Sequence, residues 1–285
     1  MVTKPKLCVI CEQPRLPRTD YCPRCKKLIG NKDKWARRLA LIAAWNKILG
    51  GFVCSYTGVK LEESDTSNPW YLSFDHYIPR KRDTIVVCAA FVNNMKSNLS
   101  GDEFWAIVME FDRHRKGAPF DPDIVKFQYW TRKAFAEPRP KLTGRSMRLV
   151  KVDACVICGH PPARYSLYCS RCGRRRPFQE KRLQPMKDAW NKEQDAFLDY
   201  YVGVKLDNIN LDSPYYMVFD HRIPRKKGDL VVTSMLVNAL KTDLSEEEFY
   251  LVMNELARHH EGKPFDKAVI RFEYWKRPVY LTKKK

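Results

Sequence analysis

The 285-residue chain has no apolar run approaching the roughly 20 residues that a membrane-spanning helix requires, which excludes a helical membrane protein. Its first residues, MVTKPKL, lead into a cysteine motif with no apolar signal region between. The sequence therefore predicts an intracellular protein, of the cytoplasm, the nucleoid or an organelle, and not a secreted one. Acidic side chains are scarce: 33 Asp and Glu stand against 52 Lys and Arg, a formal net charge of +19. Such an excess repels itself unless it faces a polyanion. No basic amphipathic helix or lipidation motif accompanies it, so a membrane partner is not expected and nucleic acid is. With 44% hydrophobic residues, 30% charged residues and a mean hydropathy of −0.50, the composition is otherwise that of a globular chain long enough for about two domains.

In a reducing compartment the ten cysteines are read as metal ligands or free thiols rather than disulfides. Cys8, Cys11, Cys22 and Cys25 are spaced CxxC, ten residues, CxxC, and the spacing returns at Cys155, Cys158, Cys169 and Cys172. Each pair of knuckles brings four thiolates to one tetrahedral Zn²⁺ and leaves no position open for water. The expectation is two structural Zn²⁺ per chain. Cys54 and Cys88 correspond to Asp199 and Thr233, so they belong to no repeated ligand set and are read as small buried apolar residues.

The cysteine motifs open an internal duplication. The zinc segments align at an offset of 147, whereas AWNK at Ala44, GVKL at Gly58, FDHYIPRK at Phe74 and GAPFDPDIVKFQYW at Gly117 all recur at an offset of 145. Repeats of this length are whole domains rather than solenoid units. The predicted organisation is copy one over 1–130, a basic proline-containing linker over 131–154, copy two over 155–276 and a basic tail over 277–285.

Within copy one, Trp35, Leu39, Ile42, Trp45 and Leu49 recur at helical spacing before Gly50-Gly51, which predicts an amphipathic helix over 31–49. Pro185 suggests that the matching helix of copy two restarts there. Residues 70–78 and 84–88 are β-rich and joined by a basic turn, a predicted hairpin. A short helix follows over 89–98. Ser100 with Glu103, and Ser245 with Glu248, predict capping boxes for helices ending near His114 and His259. Those histidines and His260 are read as helix C-caps, His160 as a surface residue, and the KPFD and FQYW or FEYW stretches as core packing.

One constellation carries chemistry. Asp75 and His76 adjoin at a strand end, and Asn93 and Lys96 follow on the short helix; Asp220, His221, Asn238 and Lys241 repeat the set. Adjacent strand residues point to opposite faces, so the carboxylate and an Asn oxygen could hold a hard cation while the imidazole deprotonates water. The pattern DH-x-IP, a hairpin, then N-x-x-K, resembles the HNH nucleases, also called ββα-metal or His-Me finger endonucleases, over about 53–115 and its repeat. The resemblance implies an α+β chain of two tandem ββα-metal domains, each with an N-terminal four-cysteine zinc motif, arranged as a pseudo-dimer. It further implies one Mg²⁺ or similar divalent cation per site on Asp75 and Asn93, or Asp220 and Asn238. His76 and His221 would be the general bases, with Lys96 and Lys241 near the phosphate. Family members place an Asn on the second hairpin strand to orient the base; here Thr84 and Asp229 stand there. Only Cys54 remains at the first position of the inner zinc site of many members, so apolar packing is expected in its place.

Two similar modules related by a pseudo-twofold suit the two strands of duplex DNA, which predicts a functional monomer that cuts both. Arg15, Arg18, Arg80, Arg164, Arg174, Arg175, Arg176 and Arg225 are the candidate DNA contacts. The sequence expectation is a metal-dependent, sequence-specific double-strand endonuclease of homing or restriction type. Its alternative is a nuclease-derived zinc-ribbon protein that binds nucleic acid with no cleavage, or nicks only.

Overall fold

The computed structural model describes residues 6–31, 33–130, 152–163, 166–173 and 180–276. Most of the expected linker and all of the basic tail lie outside these residues. Copy one runs α1 (Pro23–Ile29), α2 (Lys34–Ala44), β1 (Trp45–Asn46), β2 (Gly51–Phe52), β3 (Leu72–His76), β4 (Ile85–Ala89), α3 (Ala90–Lys96) and α4 (Gly101–Arg115). Copy two repeats the order as α5 (Ser170–Gly173), α6 (Glu180–Ala189), β5 (Trp190–Asn191), β6 (Ala196–Phe197), β7 (Met217–His221), β8 (Leu230–Ser234), α7 (Met235–Lys241) and α8 (Glu246–His260). Each sheet is a two-stranded antiparallel pair, so the described chain is α+β, with helices around small hairpins. No helix among the described residues is long and apolar enough to cross a membrane.

The first helix is shorter than its periodicity predicts. It ends at Ala44 because Trp45 and Asn46 pair with Phe52 and Gly51, and Gly50 takes the left-handed conformation the turn between them needs (φ 56°). Its orientation also corrects the expectation. The helix buries Ala40, Leu41 and Ala44 and leaves Trp35, Leu39 and Ile42 at 66%, 45% and 41% exposure. Small side chains at Ala40 and Ala44 let the helix lie close on β4, and the large stripe then falls on the other side. In α6 the positions of that stripe are Glu180, Gln184 and Lys187. Pro185 lies inside α6 rather than at its start. The carbonyl four residues earlier belongs to Lys181, in the first turn, so one helical bond is lost near an end.

Both hairpins keep the same register: Asp75 faces Val86 and His76 faces Ile85, as Asp220 faces Val231 and His221 faces Leu230. The capping box of α4 forms as expected, with Ser100 N donating to Glu103 Oε2 (2.9 Å) and Glu103 N to Ser100 Oγ (3.2 Å). Gly101 has to be glycine, because a Cβ there would lie 2.1 Å from the Tyr77 ring. In copy two the corresponding residues are Arg222 and Glu246, which face each other at 4.0 Å, and the backbone bond that joins the two positions is kept at 2.7 Å in both copies.

Two compact units divide the chain, and they do not follow the repeats. One combines Met1–Met109 with Glu247–Lys285; the other is Glu110–Glu246. Inside the first unit, the end of copy two completes the core of copy one. Phe265 and Phe272 meet Trp70 edge-on at 5.7 and 5.9 Å, Phe272 also lies 4.9 Å from Phe91, and Trp275 Nε1 donates to Ser67 O at 3.0 Å. Inside the second unit, the matching segment of copy one does the reciprocal job. Phe127 packs edge-on against Tyr215 at 5.8 Å, and Tyr215 Oη donates to Pro122 O at 2.8 Å. The aromatic stretches near Phe120 and Phe265 are thus packing elements, each serving the hairpin of the other repeat.

If a protease site is placed within 131–151 and cut, the two fragments should remain together on size-exclusion chromatography without denaturant, because aromatic segments of each are buried in the other's core. Fragments that elute separately while still folded would contradict the exchanged packing.

Candidate functional site

The two cysteine sets form compact clusters. In each, all four Sγ atoms lie within 4.8 Å of one another, and the Sγ atoms of Cys11 and Cys22, and of Cys158 and Cys169, are 3.5 Å apart. A tetrahedron with Zn–S near 2.3 Å has edges of about 3.8 Å, so donor type and spacing both fit zinc. Burial raises the Cys8 thiol, but backbone N–H groups of Cys11, Cys22 and Ile10 outweigh it and bring it down to about 7. Cys155 is brought to about 7 in the same way by Cys158, Cys169 and Ile157. Such N–H···S bonds favour the thiolate a metal requires. In the second unit Cys155, Cys169 and Cys172 are also core residues, packed with Met186, Phe197, Leu206 and Met217. A structural ion there would tie the knuckles to the hairpin.

The second arrangement is built on the long hairpin and the helix after it. Strand alternation turns Asp75 inward, where it is buried, and leaves His76 half-exposed on the opposite face. From α3, the ammonium of Lys96 reaches back to lie 3.1 Å from Asp75 Oδ1 and donates to His76 O at 3.0 Å. From the loop after β2, Tyr56 Oη donates to Asp75 Oδ2 at 2.6 Å. Burial, then the charge of Asp75, push the Tyr56 phenol well above its ordinary value, so it stays a donor. Copy two repeats the cluster. Tyr201 Oη donates to Asp220 Oδ2 at 2.8 Å, and Lys241 Nζ lies 3.1 Å from that oxygen and 2.8 Å from His221 O. Lys96 and Lys241 are fully buried.

The expected site residues are brought together only in part. Asp75, Lys96 and the backbone of His76 converge, as do Asp220, Lys241 and the backbone of His221. Neither lysine stands at a surface that a phosphate could reach. Asn93 uses its Nδ2 on Ser73 Oγ (2.8 Å) and Phe74 O (3.3 Å), which fixes α3 across β3; Val218 in place of Ser73 removes the first of these bonds for Asn238. Thr84 and Asp229 hold the turn between the strands. Thr84 Oγ1 donates to Lys81 O (2.9 Å), and Asp229 Oδ2 accepts from Ile223 N (3.0 Å) while its Oδ1 accepts from the Arg222 guanidinium. Burial alone would raise the Asp229 carboxyl, but these donors lower it overall. The imidazoles of His76 and His221 have no hydrogen-bond partner among the described residues.

This geometry does not fit the expected Mg²⁺. Both oxygens of Asp75 are engaged, one by an ammonium and one by a phenol. Asp220 has its charge already met by Lys241. An ion on either carboxylate would need to face or displace a buried cation.

The tyrosines are the members of the cluster that the sequence reading missed. Their signal is repetition: Tyr56 and Tyr201 stand at the same offset of 145 as the Asp, His and Lys they serve. The chain matches no protein-family model, no curated protein and no solved structure.

Of the arginines, Arg80 and Arg225 are exposed at the hairpin turn, both in the left-handed conformation (φ 67° and 66°). Arg225 lies 3.7 Å from Asp243. Arg18 is exposed, and Arg15 is paired with Asp20 at 2.8 Å. Arg164, Arg174, Arg175 and Arg176 lie outside the described residues. His114 and His259 lie in the last turns of their helices, and their Nδ1 atoms bond the chain that follows rather than helix carbonyls, 2.9 Å from Ala118 O and 3.0 Å from Lys263 O. His160 is half-exposed beside Asp195 at 3.2 Å. Cys54 and Cys88 are fully buried. At the equivalent joint of copy two, Asp199 Oδ2 accepts from Thr233 Oγ1 (3.0 Å) and Ser234 N (2.6 Å).

Elemental analysis of the purified protein should find close to two zinc ions per chain, and Cys25→Ser should lose one of them together with stability, because binding of a structural metal is folding free energy. Protein that is folded and contains no zinc would contradict the assignment of the two four-cysteine clusters.

Proposed function

We propose that the chain is a double-strand DNA endonuclease whose two hairpin-and-helix modules each hydrolyse one strand. What carries the reading is a side chain left reactive by an otherwise satisfied cluster. In both copies Tyr, Asp and Lys lock the strand at the peptide of the histidine, and the imidazole on the opposite face is left half-exposed with no hydrogen-bond partner among the described residues, an exposed arginine following four residues later on the turn. A half-exposed imidazole is suited to take a proton from water as a general base. The water oxygen then bonds to phosphorus, the bond to the leaving oxygen breaks, and the leaving oxygen takes up a proton. By the resemblance to HNH nucleases the products would carry 5′-phosphate and 3′-hydroxyl ends. The +19 charge accounts for affinity to the polyanion, and the lack of identity between the copies at loops such as 62–69 and 207–214 suits an asymmetric target. Zinc in this reading is structural.

One observation favours a second reading, a nucleic-acid-binding protein without cleavage. The carboxylates expected to hold a catalytic cation are already paired with lysines. A randomised plasmid library incubated with the protein in Mg²⁺ or Mn²⁺, with an EDTA control, separates the two. The endonuclease reading expects linear product from the wild type. It expects His76→Ala and His221→Ala each to give nicked circles, cut on opposite strands, since loss of a positioned base costs about 10²–10⁴ in rate. DNA that is bound but never cut under any of these conditions favours the second reading. Loss of both cuts in one single variant would show that the modules do not act independently.

A further inference from the structure

We infer that in the free protein Lys96 and Lys241 are the resident cations of the two clusters, each ammonium standing where a divalent ion would otherwise be held. The inference rests on reading these clusters as the reactive sites. It reverses the role that the resemblance gives the lysines, from contacts with phosphate to internal counter-ions.

Three observations carry it. Each ammonium is fully buried and placed between two oxygens of the hairpin, the Asp carboxylate at 3.1 Å and the His carbonyl at 3.0 or 2.8 Å. Two oxygens presented by adjacent residues of one strand are the kind of donors a hard cation would use; here an ammonium uses them. The tyrosine supplies a second donor to the carboxylate, so in copy one each oxygen already carries one. Finally, the arrangement recurs in both copies although their surroundings differ: Ser73 is Val218, Cys54 is Asp199, Thr84 is Asp229. A chance rotamer would not be expected to survive those changes twice.

A carboxylate buried to this degree needs a counter-charge, and one lysine supplies it without an ion from solution. A divalent cation placed on the same carboxylate would meet an ammonium across it in a medium of low dielectric, and repulsion there is far stronger than in water. Lys96 and Lys241 are therefore positioning residues. They hold the strand end straight through the histidine carbonyl and set the direction of the imidazole.

Paramagnetic Mn²⁺ tests this on the whole protein without DNA. The imidazole carbon-bound proton signals of the six histidines are assigned by substitution and followed through a Mn²⁺ titration. The inference expects the His76 and His221 signals to show no selective broadening against those of the other four histidines. In Lys96→Gln and Lys241→Gln, selective broadening of the neighbouring histidine should appear, since the carboxylate is then uncompensated. Selective broadening in the wild type that disappears with Asp75→Asn and Asp220→Asn would overturn the inference. So would a folded Lys→Gln protein whose His76 and His221 signals stay sharp, for the ammonium would then not be what keeps the ion out. If a Lys→Gln variant does not fold, the wild-type titration still decides. Because no DNA is present, this outcome is separate from that of the endonuclease reading, which fails only if cleavage is absent or does not depend on His76 and His221.

Discussion

A lysine ammonium buried against an aspartate carboxylate is the interaction on which the rest of each module depends. Taking two charges out of water is costly, and only close pairing with further hydrogen bonds offsets the loss. Lys96 and Asp75 meet that condition with two additional partners, Tyr56 and the carbonyl of His76. Three parts of the sequence are thereby joined at one point: the loop after β2, the end of β3 and the last residue of α3. A hairpin of five-residue strands is marginal alone; fastened from within, it becomes a rigid mount for one imidazole.

The duplication supplies an internal control on which contacts matter. Where a contact is kept, the chemistry is free to change. Tyr77 over Gly101 becomes Arg222 facing Glu246, and the thiols of Cys54 and Cys88 give way to a carboxylate bonded to a hydroxyl and a backbone N–H. Burial raises the Asp199 carboxyl, and the donors from Ser234, Tyr201 and Thr233 work against that rise. The Tyr–Asp–Lys set does not change at all. Joints that tolerate replacement serve packing, whereas the invariant set sits under the histidine in both copies.

Much of this was legible in the sequence. The CxxC spacing, the hairpin, the capping box and the helices ending near His114 and His259 follow from local rules that need no tertiary information. Periodicity found α2 but chose the wrong face, because Trp35, Leu39, Ile42 and Arg37, Ala40, Leu41, Ala44 are both helical stripes and hydrophobicity alone ranks the first higher. The second copy held the correction, since Glu180, Gln184 and Lys187 cannot belong to a core stripe. The exchange of the aromatic segments was not legible, because the two segments are so alike that nothing in them says which hairpin each will cover. The pairing of Lys96 with Asp75 was hidden for a related reason: residues 21 apart are brought together by a turn whose length, not its sequence pattern, fixes the reach.

The most direct measurement on the central claim is a double-mutant cycle at the buried pair, read by urea unfolding. Asp75→Asn and Lys96→Met should each cost about 3–5 kcal/mol, since each leaves one charge buried without its partner. The combined variant should cost far less than their sum, and Asp220→Asn with Lys241→Met should behave alike in the second copy. Additive losses in both copies would mean that the ammonium and carboxylate are not coupled, and the hairpins would have to owe their rigidity to something else.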